Sequence, residues 1–105
     1  PDAIARLLPA ALAAHGPVDA IYAIGAGNRG LIRVLRGLAG PRPVTVVHEL
    51  TPQVRAALED GTLDAVITQD VGHVARSALR VLRARAERLP VDPGQEQIRI
   101  EILIR

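Results

Sequence analysis

The chain alternates between helical and extended hydrophobic patterns. Residues 3–15 place Ile4, Leu7, Leu8, Ala11 and Leu12 at i, i+3/i+4 spacing, which predicts a helix. Pro9 falls inside it as a kink or the start of a second helix, and His15, Gly16 and Pro17 end it. Ala20 to Ile24 reads as a short buried strand. A helix then opens at Gly27 or Asn28 and runs to about Leu38, closed by Gly37, Gly40, Pro41 and Pro43. Val44 to His48 is a second strand. Thr51 has the chemistry to cap a third helix, with Pro52 at its first position; that helix runs to about Asp60 and stops at Gly61.

Leu63 to Thr68 is the third strand. The next helix, from Gly72 to Arg88, carries Val71, Val74, Ala75, Ala78, Leu79, Leu82 and Ala86 on an apolar face and Arg76, Arg80 and Arg83 on a face expected to be solvated. Residues 90–97 form a polar loop with Pro and Gly. From Ile98 on, isoleucine alternates with Arg99, Glu101, Leu103 and Arg105, a period of two that predicts an edge strand buried chiefly on one face. The order α-β-α-β-α-β-α-β predicts an α/β fold with a mostly parallel sheet and right-handed crossovers.

Composition narrows this picture in three ways. The 105 residues make one domain or a piece of one, and the missing Met before Pro1 suggests a piece. The core has no Phe, Trp or Met, and Tyr22 is the lone aromatic, so packing rests on Leu, Ile, Val and Ala. No cysteine means no disulfide and no thiol chemistry. All 13 basic residues are arginine, yet the net charge is only +2, and the acids are spread among them. That balance does not point to nucleic-acid binding by this segment. No apolar stretch approaches the roughly 20 residues of a membrane span.

Ligands of open α/β sheets sit beyond the carboxyl ends of the strands. Here those ends are Gly25 to Arg29, His48 to Thr51, and Gln69 to Asp70. The first carries Gly25-x-Gly27-x-x-Gly30, and Glu49 follows Gly30 by 19 residues. On spacing, this fits a dinucleotide-binding fingerprint. It fits equally a strand-to-helix turn whose glycines allow close backbone approach to another ligand, or none. His48 has the chemistry of a general base or of a hydrogen-bonded wall residue. Neither His15 nor His73 has carboxylates at metal-ligand spacing, so no metal site is expected. No G-x-S-x-G elbow supports acyl transfer.

Val46-Val47-His48-Glu49-Leu50-Thr51-Pro52, the run from Val54 to Asp70, and Ala75-Arg76-Ser77-Ala78-Leu79-Arg80-Val81-Leu82 carry a more specific signal. Over residues 18–105 the chain resembles the type I periplasmic-binding-protein fold, especially the effector domain of LacI/GalR-type transcription regulators. The resemblance implies a three-layer lobe with a C-terminal edge strand. It also implies that residues 1–105 are part of the C-terminal lobe, with helix 72–88 belonging to the other lobe of the intact protein. That helix then needs another cover here, either this chain's own sheet or a second copy.

By the same resemblance, Glu49 stands where the family usually has an Asp that accepts sugar hydroxyls, and Gln69 where it often has a sugar-contacting Gln. Gly25 and Ala26 replace the usual Asn-Asp. Asn28 or Arg29 is expected to substitute from the loop, and an Arg there would admit an acidic sugar or a phosphate. Gly25, His48 and Asp70 complete the expected ligand set. The implied function is a non-enzymatic, cytoplasmic sugar sensor without cofactor, working as a homodimer and reaching operator DNA through an N-terminal domain absent from this chain. An exported sugar receptor of an ABC transporter is the main alternative, and a dinucleotide-binding oxidoreductase domain the lesser one.

Overall fold

The computed structural model describes residues 3–105. Its elements are α1 (Ala3–His15), β1 (Ala20–Ala23), α2 (Asn28–Arg36), β2 (Val44–His48), α3 (Pro52–Glu59), β3 (Ala65–Gln69), α4 (Val71–Ala86), α5 (Pro93–Glu96) and β4 (Ile100–Ile104). The chain forms two compact units. Unit 1 runs up to Ile67 and takes in Ile102–Arg105; unit 2 is Thr68–Glu101.

The sheet has the order β1-β2-β3-β4. β1 and β2 pair in parallel with Tyr22 opposite Val46, and β2 and β3 pair in parallel with His48 opposite Ile67. The strand order advances in one direction only. Right-handed crossovers therefore place α2 and α3 on the same face, and the core agrees. Leu31, Ile32 and Leu35 from α2 and Val54, Ala57 and Leu58 from α3 close over Val47, Leu63 and Val66, every one of them buried. Each such Leu, Ile or Val side chain contributes about 1.5–3 kcal/mol of burial free energy. Ile4 and Leu8 bring α1 to the same core.

The opposite face of the sheet stays open at Tyr22, Val44, Ile102 and Ile104. This corrects the expected burial of β4. Its isoleucines are exposed, and Leu103 is the residue that packs against the core. The helices of unit 1 pack on one face of the sheet, so the strand's parity decides, and that parity turns Leu103 inward. β4 is the edge strand the alternation predicts. It ends where β3 begins, with Arg105 N–H donating to the Asp64 carbonyl at 3.3 Å.

Local chemistry sets the element ends. Pro9 lies within an unbroken α1. Thr51 caps α3 as expected, its Oγ1 accepting from Val54 N–H at 3.2 Å. Leu63 precedes β3 instead of starting it, because its N–H returns to the Ala57 carbonyl at 2.9 Å. Thr45, fully buried, is satisfied on both sides: its Oγ1 donates to the Pro43 carbonyl and its N–H to the Asp64 carboxylate.

In unit 2, α4 starts at Val71 because Asp70 caps it, accepting from His73 N–H at 3.0 Å. One expectation about this helix changes. Its predicted apolar face is exposed at Val71, Leu79 and Leu82, and Ser77 is its one buried residue. The arginine stripe is the solvated face expected at Arg76 and Arg83, with Arg80 half-buried by an ion pair. Arg80 Nε donates to Glu96 at 2.8 Å, Ser77 donates to the same carboxylate, and Arg83 pairs with Glu87. The expected loop at 90–97 contains the short α5, capped by Asp92, and Glu96 is the residue α4 holds.

Candidate functional site

The carboxyl ends of β1 and β2 bring three side chains together in unit 1. Asn28, the first residue of α2, donates from Nδ2 to the His48 carbonyl at 2.7 Å. His48 Nε2 and the Tyr22 hydroxyl are 2.6 Å apart, with ring centroids 5.5 Å apart and planes tilted by 47°. Strand register explains the pair. Tyr22 lies opposite Val46, so His48 is its diagonal neighbour on the same face. Asn28 Oδ1 is buried and has no partner among the described residues.

Glu49 follows at once in the left-handed region, with φ 70°. Its N–H donates to the Ile67 carbonyl at 3.0 Å, which extends the β2–β3 ladder by one bond before the chain turns to Thr51. A non-glycine residue held there stores about 1–2 kcal/mol of strain. Its carboxylate is exposed. Strain of this kind collects at sites where side-chain position matters more than stability.

The glycine loop divides into two parts. Gly25, at φ 94°, faces open space: a β-carbon there would meet nothing within 4 Å. Gly27 and Gly30 serve packing. A β-carbon on Gly27 would lie 2.6 Å from Ile4 Cδ1, and one on Gly30 3.2 Å from the Ala5 backbone nitrogen. Both glycines exist to let α1 approach α2. Ile4 stands over the turn where a dinucleotide fold needs room for its pyrophosphate, so the fingerprint spacing has a packing cause here.

The other predicted residues go elsewhere. Arg29 lines a groove of about 370 Å³ with Ile32, Arg33, Arg36, Gln53 and Ala56, between α2 and α3. Gln69 ends β3, exposed, and belongs to unit 2. Asp70, also in unit 2, is a helix cap. The His73 N–H, with help from the nearby Arg76 guanidinium, holds its carboxyl below the usual range. Two features were not foreseen from the sequence. One is Tyr22 as the partner of His48, which the strand register alone would reveal. The other is a polar groove of about 410 Å³ in unit 2 that Asp70 lines with Arg76, Arg99 and Glu101. Its walls lie too far apart in sequence to be joined without the fold.

Among the described residues, no group of three or more His, Asp or Glu side chains could hold a metal ion. No described helix is long and apolar enough to cross a membrane. Residues 1–88 match the family model of the periplasmic binding protein domain. No curated protein and no solved structure matches the chain.

Proposed function

Because the chain belongs to the periplasmic binding protein domain family, we propose that it is part of the sugar-sensing effector domain of a LacI-type transcription regulator. The single observation that carries this reading is the strand-end arrangement of unit 1. Glu49 is held in a strained conformation beside His48, whose carbonyl Asn28 fixes. These groups offer an exposed carboxylate, an imidazole and an open backbone at Gly25, a set that suits the hydroxyls of a sugar or sugar derivative.

Glu49 accepts sugar hydroxyls. His48, Asn28 and the Gly25 backbone complete the set. No covalent bond is made or broken. The ligand stabilises one arrangement of two lobes and so shifts operator affinity through a population shift. The division of this chain at residues 67/68 and 101/102 supports the assignment of helix 72–88 to the second lobe. The working form is a cytoplasmic homodimer, with operator DNA reached through a separate N-terminal domain.

A thermal-shift panel of sugars on the full-length protein tests the sensor, followed by operator titration with and without the responding sugar. A sugar that stabilises the protein and changes operator affinity supports the proposal. Sugar binding without any operator affinity assigns the protein to the sugar receptors of transporters instead. In the responding protein, Glu49→Gln weakens the sugar by about 1–3 kcal/mol, the scale of a lost charge-assisted hydrogen bond. An unchanged titration removes Glu49 from the site.

A further inference from the structure

Unit 2 has a groove whose chemistry the sugar reading does not explain. It has a volume of about 410 Å³, and Asp70, His73, Arg76, Gln97, Arg99 and Glu101 line it. Every side chain that lines it is polar or charged. One part of that wall is already neutralised. A β-carbon on Gly72 would lie 2.9 Å from Arg76 Nη1 and 3.2 Å from Asp70 Oδ1. The bare glycine therefore lets the guanidinium lie across the first turn of α4 beside the capping carboxylate.

The other part of the wall is not neutralised. Arg99 and Glu101 are two residues apart where the chain enters β4, and both are exposed. Among the described residues, no hydrogen bond or ion pair claims either side chain, so a free guanidinium and a free carboxylate share one groove. Residues i and i+2 of an extended chain are about 6.6 Å apart and point to one side.

We propose that this groove binds a small zwitterion of the amino-acid class, with its carboxylate on Arg99 and its ammonium on Glu101. The planar guanidinium meets a carboxylate in two parallel hydrogen bonds, and a carboxylate accepts from an ammonium. A neutral polyol would partly desolvate both charges without an opposite charge for either. A simple anion would face Glu101, and a simple cation Arg99. Only a ligand with both signs satisfies the pair. This site does not depend on the sugar reading.

The test is a thermal-shift screen of the protein against each standard L-amino acid at millimolar concentration. The strongest responder is then titrated beside its decarboxylated amine and its deaminated acid. The intact amino acid is expected to bind at least about tenfold more tightly than either analogue. Arg99→Gln and Glu101→Gln should each weaken it about tenfold without moving the unliganded Tm, since both side chains are exposed. A screen without any response, an analogue as tight as the amino acid, or titrations unchanged in both variants overturns the proposal. Glu49→Gln separates the two readings: an amino-acid response that survives this change supports an independent groove, and one lost with it overturns that independence.

Discussion

Asp60 Oδ2 lies 2.5 Å from Arg36 Nη2, which ties the end of α2 to the turn after α3. The same carboxylate accepts from the Thr62 hydroxyl at 2.6 Å and the Thr62 N–H at 2.9 Å. These bonds, the hydroxyl first and the Arg36 guanidinium after them, hold the Asp60 carboxyl at about 2, against an ordinary 3.8. A depressed folded pKa means the unfolded chain binds the proton first. The stabilisation is then complete above about pH 4 and disappears as pH falls towards 2. Urea titrations across that window should show a stability slope that Asp60→Asn flattens. An unaltered slope would remove Asp60 as its source.

The two positive-φ glycines of the turn should behave differently on substitution. Gly25→Ala meets only backbone strain, about 1–2 kcal/mol, because nothing surrounds its β-carbon. Gly27→Ala adds a clash with Ile4 Cδ1 and should cost about 1 kcal/mol more, in the range of overpacking effects. Adding Ile4→Ala to Gly27→Ala should remove that extra part of the penalty, apart from its own loss of packing. A chemical-denaturation cycle over Gly27→Ala, Ile4→Ala and the double variant measures the coupling.

Strand β4 offers a test of parity. Ile102→Thr changes an exposed side chain and should move stability by no more than about 0.5 kcal/mol. Leu103→Ala removes a residue packed against the core and should cost about 2 kcal/mol, the low end for such truncations. Equal effects in equilibrium unfolding would place both faces of β4 in the same environment, contrary to the structure.

Glu49→Gly should separate stability from binding. Glycine tolerates φ 70°, so the variant should gain up to about 1 kcal/mol after allowing for its greater unfolded-state freedom. Sugar response should fall at the same time, because the carboxylate is gone. A stability gain with full ligand response would make Glu49 a turn residue only.

Much of unit 1 was legible in the sequence because its signals are local. Thr51-Pro52 announces the α3 start, and Val44–His48 is a strand in both readings. The glycine loop marks the turn into α2. Its cause lay beyond local reach: Gly27 is glycine because of Ile4, a residue of another helix. Alternation located β4 but could not choose its inward face, which depends on which side of the sheet the helices cover. The stripe on α4 misled for the converse reason. Apolar spacing shows what a helix could bury, whereas Ser77 and Arg80 found Glu96 from a segment that reads as loop. Among the candidate ligand residues, Asn28 and His48 do meet. Arg29 turned to the α2–α3 groove and Asp70 to capping, outcomes set by side-chain geometry that spacing does not encode.

The Tyr22–His48 contact also gives this protein a built-in optical probe. The chain has one tyrosine and no tryptophan, so its near-ultraviolet emission comes from a single ring. That ring is bonded to an imidazole at the strand ends where a ligand is proposed to arrive. A molecule that rearranges this pair would change the emission directly, with no label attached and no background from a second fluorophore in these 105 residues.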